Sequence, residues 1–250
     1  MIQSSPVNDK PLIGKTILIT GAARRLGRIF VFACTSAGAD IVLHHAHSGE
    51  QANEVQEEIE SLGRKVWVLR ADLEDAEATC GLIDRASKLG PLYALVNNAA
   101  IFEALSFEGT SVSDWDRHMA VNLTAPFLLS QGFARQVPQD GEGRIVNILD
   151  WRASKPVTDH FPYTVSKAGL AAMTRSLAVA FAPHITVNGL ALGAILPPAG
   201  EPEKDQVLDK VPAKRWSSPK EVEEALLFLL AGPAFITGEV IHLDGGRHLL

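Results

Sequence analysis

The sequence predicts a single α/β domain built on a doubly wound parallel sheet. Short apolar runs alternate with amphipathic stretches along its 250 residues, which is the order of repeated β-α-β units with right-handed crossovers. The apolar runs are continuous, as expected for strands that are buried on both faces of a sheet. Ligands of such sheets bind beyond the carboxyl ends of the strands. We therefore expect the functional residues to follow the strands.

The apolar runs and the segments between them set the predicted element order. Strands are predicted at 16–19, 41–43, 66–69, 94–96, 144–149, 185–189 and 240–243, and helices, for example, at 50–62, 76–89, 115–136, 164–182 and 220–230. Residues 1–10 are polar, lack the apolar core of a signal peptide and are predicted to be a disordered N-terminus. Residues 11–250 then form the single domain. A segment at about 192–219, rich in proline and charge, is predicted to be a substrate loop.

Composition narrows the class of partner. The net charge of -6 argues against nucleic acid as the main partner, and no apolar run reaches the roughly 18 residues of a membrane-spanning helix. The two cysteines, Cys34 and Cys80, have neither metal-ligand spacing nor the pattern of a disulfide framework, and we expect both to fill helix faces. These features favour a small-molecule ligand and a reducing cytoplasm.

The first predicted strand runs directly into a glycine turn with the sequence TGAARRLG. A glycine turn between a buried strand and a helix presents backbone N–H groups and a helix N-terminus to a pyrophosphate. An ordinary strand-to-helix turn is the alternative. The candidate cofactor residues of this turn are Gly21, Arg24, Arg25, Leu26 and Gly27.

The end of the second strand bears on the choice of cofactor. Proteins that bind NAD generally place Asp or Glu there to hold the ribose hydroxyls, but this chain has histidines and no acid before Glu50. A carboxylate would repel a 2′-phosphate, whereas imidazoles, a hydroxyl and Arg24 can donate hydrogen bonds to it. NADPH is therefore favoured over NADH, with His45, Ala46, His47 and Ser48 as the contacts. A solvated histidine cluster or a metal site is the alternative; the metal set lacks a further ligand at suitable spacing, and none is predicted.

Polar and small residues also follow the third and fourth strands. Asp72, followed by Leu73, either accepts the adenine amino group or caps the helix that begins near Asp75. After the fourth strand, Asn98 is predicted to tie the loop to the strand. The small residues Ala99 and Ala100 would let a flat nicotinamide ribose lie against the backbone.

The pair Tyr163 and Lys167 is the main candidate for chemistry. Positions i and i+4 share one helix face, and a nearby ammonium favours phenolate and would lower the tyrosine pKa. Tyr163 is then a proton donor to a group being reduced. The spacing alone is common by chance on helices, but here it follows the cofactor turns and lies thirteen residues after Asp150.

Over residues 15–246 the chain resembles the short-chain dehydrogenase/reductases. The matching motifs are TGAARRLG, ADL, VNNAA, VNL around Asn122, YTVSK, VNG, ITG and LDGG. The resemblance implies a Rossmann fold with a seven-stranded parallel sheet flanked by helices, and a homotetramer built partly on helices 115–136 and 164–182. It also implies that Lys167 holds the nicotinamide ribose, that Tyr163 contacts the cofactor and that Asn122 supports a water-linked proton relay. Gly193 and Ile195 are expected to be further cofactor contacts.

Two departures point to a subgroup. Arg25 stands in place of the middle glycine of the cofactor turn and Asp150 in place of the usual serine, a combination that resembles the pteridine reductases. Phe102 matches the aromatic residue that stacks on the pterin in that group, and residues 244–249 are similar to the ending of bacterial dihydromonapterin reductases. The implied substrate contacts are Arg25, Phe102, Asp150 and Tyr163.

Other positions differ from the subgroup. Ala100 replaces a common serine, His47 replaces an arginine that meets the 2′-phosphate, and Leu192-Gly193 replaces Pro-Gly after the sixth strand. Loop packing is the alternative role for Phe102. For Asp150 the alternative is to cap the loop or to anchor it to Pro162.

These observations predict an NADPH-dependent reductase of a pterin, taking a dihydropterin to a tetrahydropterin and extending to oxidised pterins or folate. The alternative is a carbonyl reductase of the same fold, such as a 3-oxoacyl thioester reductase. A non-catalytic NADPH-binding sensor is the third hypothesis, against which Tyr163, Lys167 and Asn122 argue.

Overall fold

The computed structural model describes residues 10–196 and 205–250. Seven strands form one sheet in the order β3-β2-β1-β4-β5-β6-β7, and every neighbouring pair is parallel. The strands are β1 (Thr16–Ile19), β2 (Asp40–His45), β3 (Val66–Arg70), β4 (Ala94–Asn97), β5 (Gly143–Asp150), β6 (Ile185–Leu192) and β7 (Val240–Leu243). This order confirms the predicted doubly wound Rossmann fold.

Helices cover both faces of the sheet. They are α1 (Arg25–Ser36), α2 (Gly49–Ser61), α3 (Ala76–Ser87), α4 (Val112–Met119), α5 (Ala125–Gln136), α6 (Phe161–Phe181), α7 (Asp205–Leu208) and α8 (Pro219–Ala231). One core cluster joins the sheet to α1, α2 and α8 around Phe30, and a second joins it to α3 and α5 around Phe133. Among the described residues, no helix is long and apolar enough to cross a membrane.

Strand β1 shows why the apolar runs are continuous. Ile17 and Ile19 belong to the first core cluster, whereas Leu18, between them, belongs to the second. Successive side chains of a strand point to opposite faces, so a central strand with a core on each side needs apolar residues at every position.

Two strands are three residues longer than predicted, a larger extension than in any other strand. β2 continues through His44 and His45, which pair with Leu69 and Arg70 of β3, and β6 continues to Leu192 against β5 and β7. In both cases pairing with neighbouring strands extends the ladder past the apolar run. The histidines predicted to be loop residues thus begin inside the sheet.

The predicted helix 115–136 is interrupted. Helix α4 begins three residues earlier with a capping box between Ser111 and Asp114, and a π-helical turn, Ala120–Thr124, separates it from α5. A π turn inserts one residue into a helix and is frequent at functional sites. Asn122 lies in this turn.

Some predicted segments fall on residues that are not described. The predicted disordered N-terminus lies outside the described residues except for Lys10, and so does the 197–204 part of the predicted substrate loop. In the described part of that loop, Ser217 N–H donates to the Ala194 carbonyl. The prediction for the cysteines is half right, because Cys34 is buried in α1 but Cys80 is exposed on α3.

Candidate active site

A cleft of about 500 Å³ lies beyond the carboxyl ends of β1, β2, β3 and β4, at the place expected for a ligand of this sheet. The predicted residues that line it are Gly21, Arg24, Arg25, Leu26, Gly27, His45, Ala46, His47, Ser48, Asp72, Leu73, Asn98, Ala99, Ala100 and Phe102. The sequence prediction missed five further lining positions among the described residues, which are Ala23, His44, Glu74, Ile101 and Val121.

The glycines of the first turn are required by close packing. Gly21 has a φ of +61°, and a Cβ there would lie 2.9 Å from the Ala99 Cα. A Cβ on Gly27 would collide with the Gly21 carbonyl oxygen. Arg25 occupies the left-handed region at φ 52°, a conformation that glycine adopts freely and arginine adopts at a cost.

Asn98 ties the first turn to the fourth strand, as predicted. Its amide nitrogen donates to the carbonyls of Thr20 and Gly21 at 2.8 and 3.1 Å. The Thr20 hydroxyl in turn accepts the N–H groups of Asn98 and Ala99, both at 3.0 Å. The floor of the cleft is therefore held by side-chain bonds between two adjacent strand ends.

His44 braces the same turn from β2. Its Nδ1 accepts the Gly21 N–H at 3.2 Å, and its Nε2 pairs with the Ala71 carbonyl at 3.1 Å. These two partners require a neutral ring with the proton on Nε2. Burial lowers the pKa of His44 to about 4, so the ring stays neutral and connects the ends of three strands.

The segment after β2 carries groups that fit a phosphate. His45 is buried, and its Nδ1 has no hydrogen-bond partner among the described residues. Ser48 precedes α2, and its hydroxyl makes no capping bond there. Arg70, which the sequence prediction missed, donates from Nε to the Ala46 carbonyl at 3.2 Å. Burial, with Arg70 and His47 nearby, lowers the pKa of His45.

The sequence left open whether Asp72 contacts the adenine or caps α3. Asp75 caps α3 by accepting the N–H groups of Glu77 and Ala78. Asp72 accepts the Glu74 N–H at 3.0 Å and faces the cleft. The capping alternative for Asp72 is therefore wrong, since its neighbour caps the helix.

Three of the four predicted catalytic side chains meet where β5 ends and α6 begins. The Tyr163 hydroxyl donates to Asp150 Oδ2 at 3.2 Å, and Lys167 Nζ lies 5.7 Å from the Tyr163 ring centroid. Lys167 also donates to the Ile148 carbonyl at 2.7 Å. Tyr163 and Lys167 are both buried, whereas Asp150 is partly exposed.

The protonation of this group differs from the expectation. Burial raises the pKa of Tyr163 well above its usual value, and the Asp150 carboxylate adds to the effect. The expected net lowering of the Tyr163 pKa is therefore wrong for this arrangement. Burial lowers the pKa of Lys167 to about 8. Tyr163 is thus a neutral phenol at neutral pH, which is the state that a proton donor needs.

Asn122 acts as a brace from the π turn. Its carbonyl oxygen accepts the Ile101 N–H at 2.9 Å, while its amide group donates to the Ile101 carbonyl and the Ser166 hydroxyl. The side chain is fully buried and has no free N–H for a water. The predicted proton relay stays a prediction, and within the described contacts the side chain positions α6 against the loop after β4.

Asp150 has a second task that the sequence left as an alternative. Its Oδ1 accepts the Arg152 N–H at 2.8 Å and so caps the short 3-10 turn Trp151–Ala153. Arg152 also approaches this oxygen with its guanidinium, at 3.5 Å. Because each oxygen has its own partner, capping and contact with Tyr163 occur together.

Phe102 lies at the mouth of the site. Its ring stacks on His160, with centroids 4.0 Å apart and planes at 12°, and meets the Tyr163 ring edge-on at 4.6 Å. Phe102 remains 47% exposed. The sequence prediction missed His160, which has a φ of 53° immediately before α6. Only the fold brings this loop residue against Phe102.

The comparisons with known proteins agree with this geometry. A family model described as enoyl-(acyl carrier protein) reductase matches residues 21–248. The 3-oxoacyl-(acyl-carrier-protein) reductase of Aquifex aeolicus is 35% identical over 94% of this chain and 98% of its own. A short-chain dehydrogenase of Burkholderia cenocepacia, solved with NADP, has a TM-score of 0.89 at 32% identity over 95% of this chain and 99% of its own. The chain belongs to the short-chain dehydrogenase/reductase family.

A third similar protein is named for the reduction of dihydrofolate. The FolM alternative dihydrofolate reductase 1 of Brucella canis, solved with NADP, has a TM-score of 0.88 at 34% identity and covers 97% of both chains. Short-chain dehydrogenase/reductases are oxidoreductases that use NAD or NADP. The present chain is therefore an NAD(P)-dependent oxidoreductase of this family.

Two cofactor contacts expected of a short-chain dehydrogenase/reductase lie outside the cleft. Gly193 donates its N–H to the Leu243 carbonyl, and a Cβ on it would lie 2.6 Å from the Asp244 Cα. Ile195 is buried in the core and does not line the cleft. Both contacts remain predictions, and for Ile195 only the backbone is available.

Proposed function

We propose that this short-chain dehydrogenase/reductase uses NADPH to reduce a C=N bond of a pterin. The observation that carries the proposal is the 3.2 Å hydrogen bond from the Tyr163 hydroxyl to the Asp150 carboxylate, next to the Phe102 ring. A carboxylate in place of the usual serine suits protonation of nitrogen. The similarity to the Brucella canis protein, which is named a dihydrofolate reductase, supports the same substrate class.

The residues of the cleft fit NADPH. The turn from Gly21 to Gly27 offers backbone N–H groups to the pyrophosphate at the start of α1. His45, with its unpartnered Nδ1, and Ser48 at the start of α2 are placed for the 2′-phosphate. Ala99 and Ala100 leave room for the nicotinamide ribose, which Lys167 would hold. When bound, the cofactor supplies the hydride.

Tyr163 would supply the proton. Reduction of C=N to CH–NH adds the hydride at carbon and a proton at nitrogen, and the neutral Tyr163 hydroxyl is the donor. The Lys167 ammonium stabilises the phenolate left behind. Asp150 returns a proton from solvent to Tyr163, since its Oδ2 already contacts the hydroxyl. Asn122 holds α6, and hence Tyr163, in register with the loop after β4.

Phe102 would form one wall for the pterin. Stacking on an aromatic ring contributes roughly 0.5–1.5 kcal/mol beyond the burial of area. In the structure, His160 occupies one face of Phe102 at 4.0 Å. The pterin therefore either takes the other face or displaces His160. Arg25, at the edge of the cleft, would bridge the cofactor phosphate and the polar edge of the substrate.

A carbonyl reductase is the second candidate. The 35% identity to the 3-oxoacyl-(acyl-carrier-protein) reductase of Aquifex aeolicus favours it, because Tyr163 and Lys167 serve that chemistry equally well. Asp150 argues against it, since a serine hydroxyl, and not a carboxylate, donates a hydrogen bond to a carbonyl oxygen.

A substrate panel separates the two functions. The purified protein is assayed with dihydrobiopterin, dihydromonapterin and an acetoacetyl thioester, and the loss of NADPH absorbance is followed. We expect oxidation of NADPH with the pterins and impaired pterin reduction, but intact NADPH binding, in Asp150→Ser. Turnover with the thioester alone would refute the pterin proposal, and tight NADPH binding without any turnover would favour a sensor.

We also propose a homotetramer that uses α5 and α6. Phe127 on α5 is 42% exposed and Val179 on α6 is 82% exposed, and a second copy would cover such apolar side chains. Sedimentation of the purified protein tests this. A tetramer that Val179→Glu dissociates is expected, and a wild-type monomer would contradict it.

A further inference from the structure

Arg247 follows β7 and lies against Trp151, next to the candidate active site. Its guanidinium carbon is 4.2 Å from the centroid of the Trp151 ring. The residue is partly buried, and its Nε has no hydrogen-bond partner among the described residues. Within the parts of the chain that the structure describes, no carboxylate forms an ion pair with Arg247. It is therefore a partly desolvated cation with no direct ion pair among the described residues, an arrangement that a bound anion would stabilise.

The nearby carboxylates are already engaged. Asp244, three residues before Arg247, accepts from the His248 ring at 2.8 Å and from the N–H groups of Gly246 and His248. Asp150 and Asp159 are 3.5 and 3.4 Å from the guanidinium of Arg152. These carboxylates attract Arg247 without a described ion pair to it, and the like charge of Arg152 beside it opposes that attraction.

Arg152 completes a pair of guanidinium groups on one aromatic residue. Its guanidinium carbon lies 4.8 Å from the Trp151 ring centroid and 5.4 Å from the Phe102 ring centroid. Its Nε also lacks a hydrogen-bond partner in the described part of the chain. Burial and Arg152 lower the pKa of Arg247, but a guanidinium stays charged in proteins. The pair persists as two cations near the proton donor, in a chain with a net charge of -6.

We propose that Arg247, with Arg152 beside it, binds an anionic group on the substrate. A planar guanidinium pairs in bidentate fashion with a carboxylate or a phosphate and stacks on aromatic faces, which is the arrangement that Trp151 provides. The site would then take a ring that is reduced beside Tyr163 and that carries an acidic substituent. The identity of that ring as a pterin rests on the function proposed above.

Matched pairs of substrates test the inference. Dihydrofolate is compared with its diamide, and dihydroneopterin monophosphate is compared with dihydroneopterin, so that a preference for carboxylate or for phosphate is read separately. Acetoacetate and its methyl ester form a third pair for a carbonyl reductase. Within each pair only the charged substituent differs, and kcat/KM is measured for both members.

Three variants are compared with the wild type by kcat/KM. In Arg247→Gln we expect kcat/KM for the charged member of the accepted pair to fall about ten- to a hundredfold, the loss of a charge-assisted hydrogen bond. The neutral member should change by less than about twofold. Arg247→Lys should restore part of the charged preference. Arg135→Gln, an exposed arginine on α5, is the matched control and should leave both members unchanged.

The outcomes separate the two proposals. Turnover of the keto acid pair without turnover of any pterin refutes the proposed function, and Arg247 is then still tested on the keto acid pair. An equal loss on both members in Arg247→Gln, or no loss on either, overturns the anion site and assigns Arg247 a structural role. Absence of turnover on every pair refutes both.

Discussion

The chemistry of single residues depends here on burial more than on charge. Tyr163 is buried beside a carboxylate, and both effects raise its pKa, although an ammonium group lies on the next helical turn. Sequence spacing indicated the ammonium but not the degree of burial. The direction of proton transfer therefore follows from the fold, because the phenol keeps its proton until a more basic atom approaches.

The substitution Tyr163→Phe removes the phenol hydroxyl, and with it the proton, but keeps the aromatic ring. We expect kcat to fall by at least about a hundredfold, in line with the loss of a general acid, while the dissociation constant for NADPH stays the same. Stopped-flow turnover and NADPH fluorescence titration measure the two quantities. Full activity in Tyr163→Phe would remove this residue from the reaction.

Arg25 lies in the left-handed region at the first residue of α1. We expect Arg25→Gly to be more stable than Arg25→Ala by about 1 kcal/mol, because only glycine avoids the strain at φ 52°. Urea unfolding of both variants measures the difference. In the interior of an ordinary helix, alanine is more stabilising than glycine. An Arg25→Ala variant more stable than Arg25→Gly would therefore show that the backbone at this position is not strained.

At the scale of elements, the π turn is a joint between three parts of the chain. Asn122 holds the loop after β4 through Ile101 and holds α6 through Ser166. The apolar pattern of residues 115–136 predicted one continuous helix, because a single inserted residue barely alters a helical pattern. The joint is visible only when the backbone is known.

We expect Asn122→Ala to lower the free energy of unfolding by about 2–4 kcal/mol, since it leaves buried groups of Ile101 and Ser166 without partners. Chemical denaturation measures this loss. The hydroxyl of Ser176, exposed on α6, provides a control, and Ser176→Ala should stay within about 0.5 kcal/mol of the wild type. A similar effect of both variants would contradict the role of the joint.

His44 makes stability depend on pH at the ends of the strands. Its pKa is lowered from 6.5 to about 4 in the folded protein, so its contribution is complete above 6.5 and is lost as the pH falls towards 4. Between about pH 7 and pH 5, we expect the wild type to lose about 2 kcal/mol more than His44→Gln. Urea unfolding at the two pH values measures this. Equal losses would mean that His44 is protonated in the folded state.

Much of the element pattern was predictable from the sequence. The continuous apolar runs located all seven strands, and the turn from Gly21 to Gly27 located the cleft beyond their carboxyl ends. β2 was predicted too short, because His44 and His45 are polar residues that the sheet nevertheless buries. The local sequence pattern does not show that these two histidines pair with β3, and this pairing is what extends β2.

Across the whole molecule, contacts distant in sequence were the least predictable. Phe102 meets His160 after a separation of 58 residues, and Trp151 meets Arg247 across 96. Each position alone is an ordinary loop aromatic or a terminal basic residue. Arg247 comes close to the end of β5 only because β7 pairs with β6, which lies beside β5 in the sheet.

Cofactor binding should stabilise the whole chain. At a hundredfold excess over its dissociation constant, NADPH adds about 2.7 kcal/mol to the stability of the fold, and we expect a larger thermal shift with NADPH than with NADH. The double variant His47→Ala, Ser48→Ala should reduce the NADPH shift and leave the NADH shift unchanged. His184→Ala, an exposed histidine before β6, is the control. An equal change for both cofactors would mean that this segment does not recognise the phosphate.

The position of the cleft-lining residues along the chain also affects how the protein folds during synthesis on the ribosome. Every described residue that lines the cleft lies within the first 121 positions, whereas Asp150, Tyr163 and Lys167 follow later. The growing chain therefore completes β1 to β4 before β5 exists, and the free side of β4 is for a time an open edge, which invites pairing with other chains. β4 is only four residues long, and so short an edge offers a foreign strand few hydrogen bonds while the chain is being made.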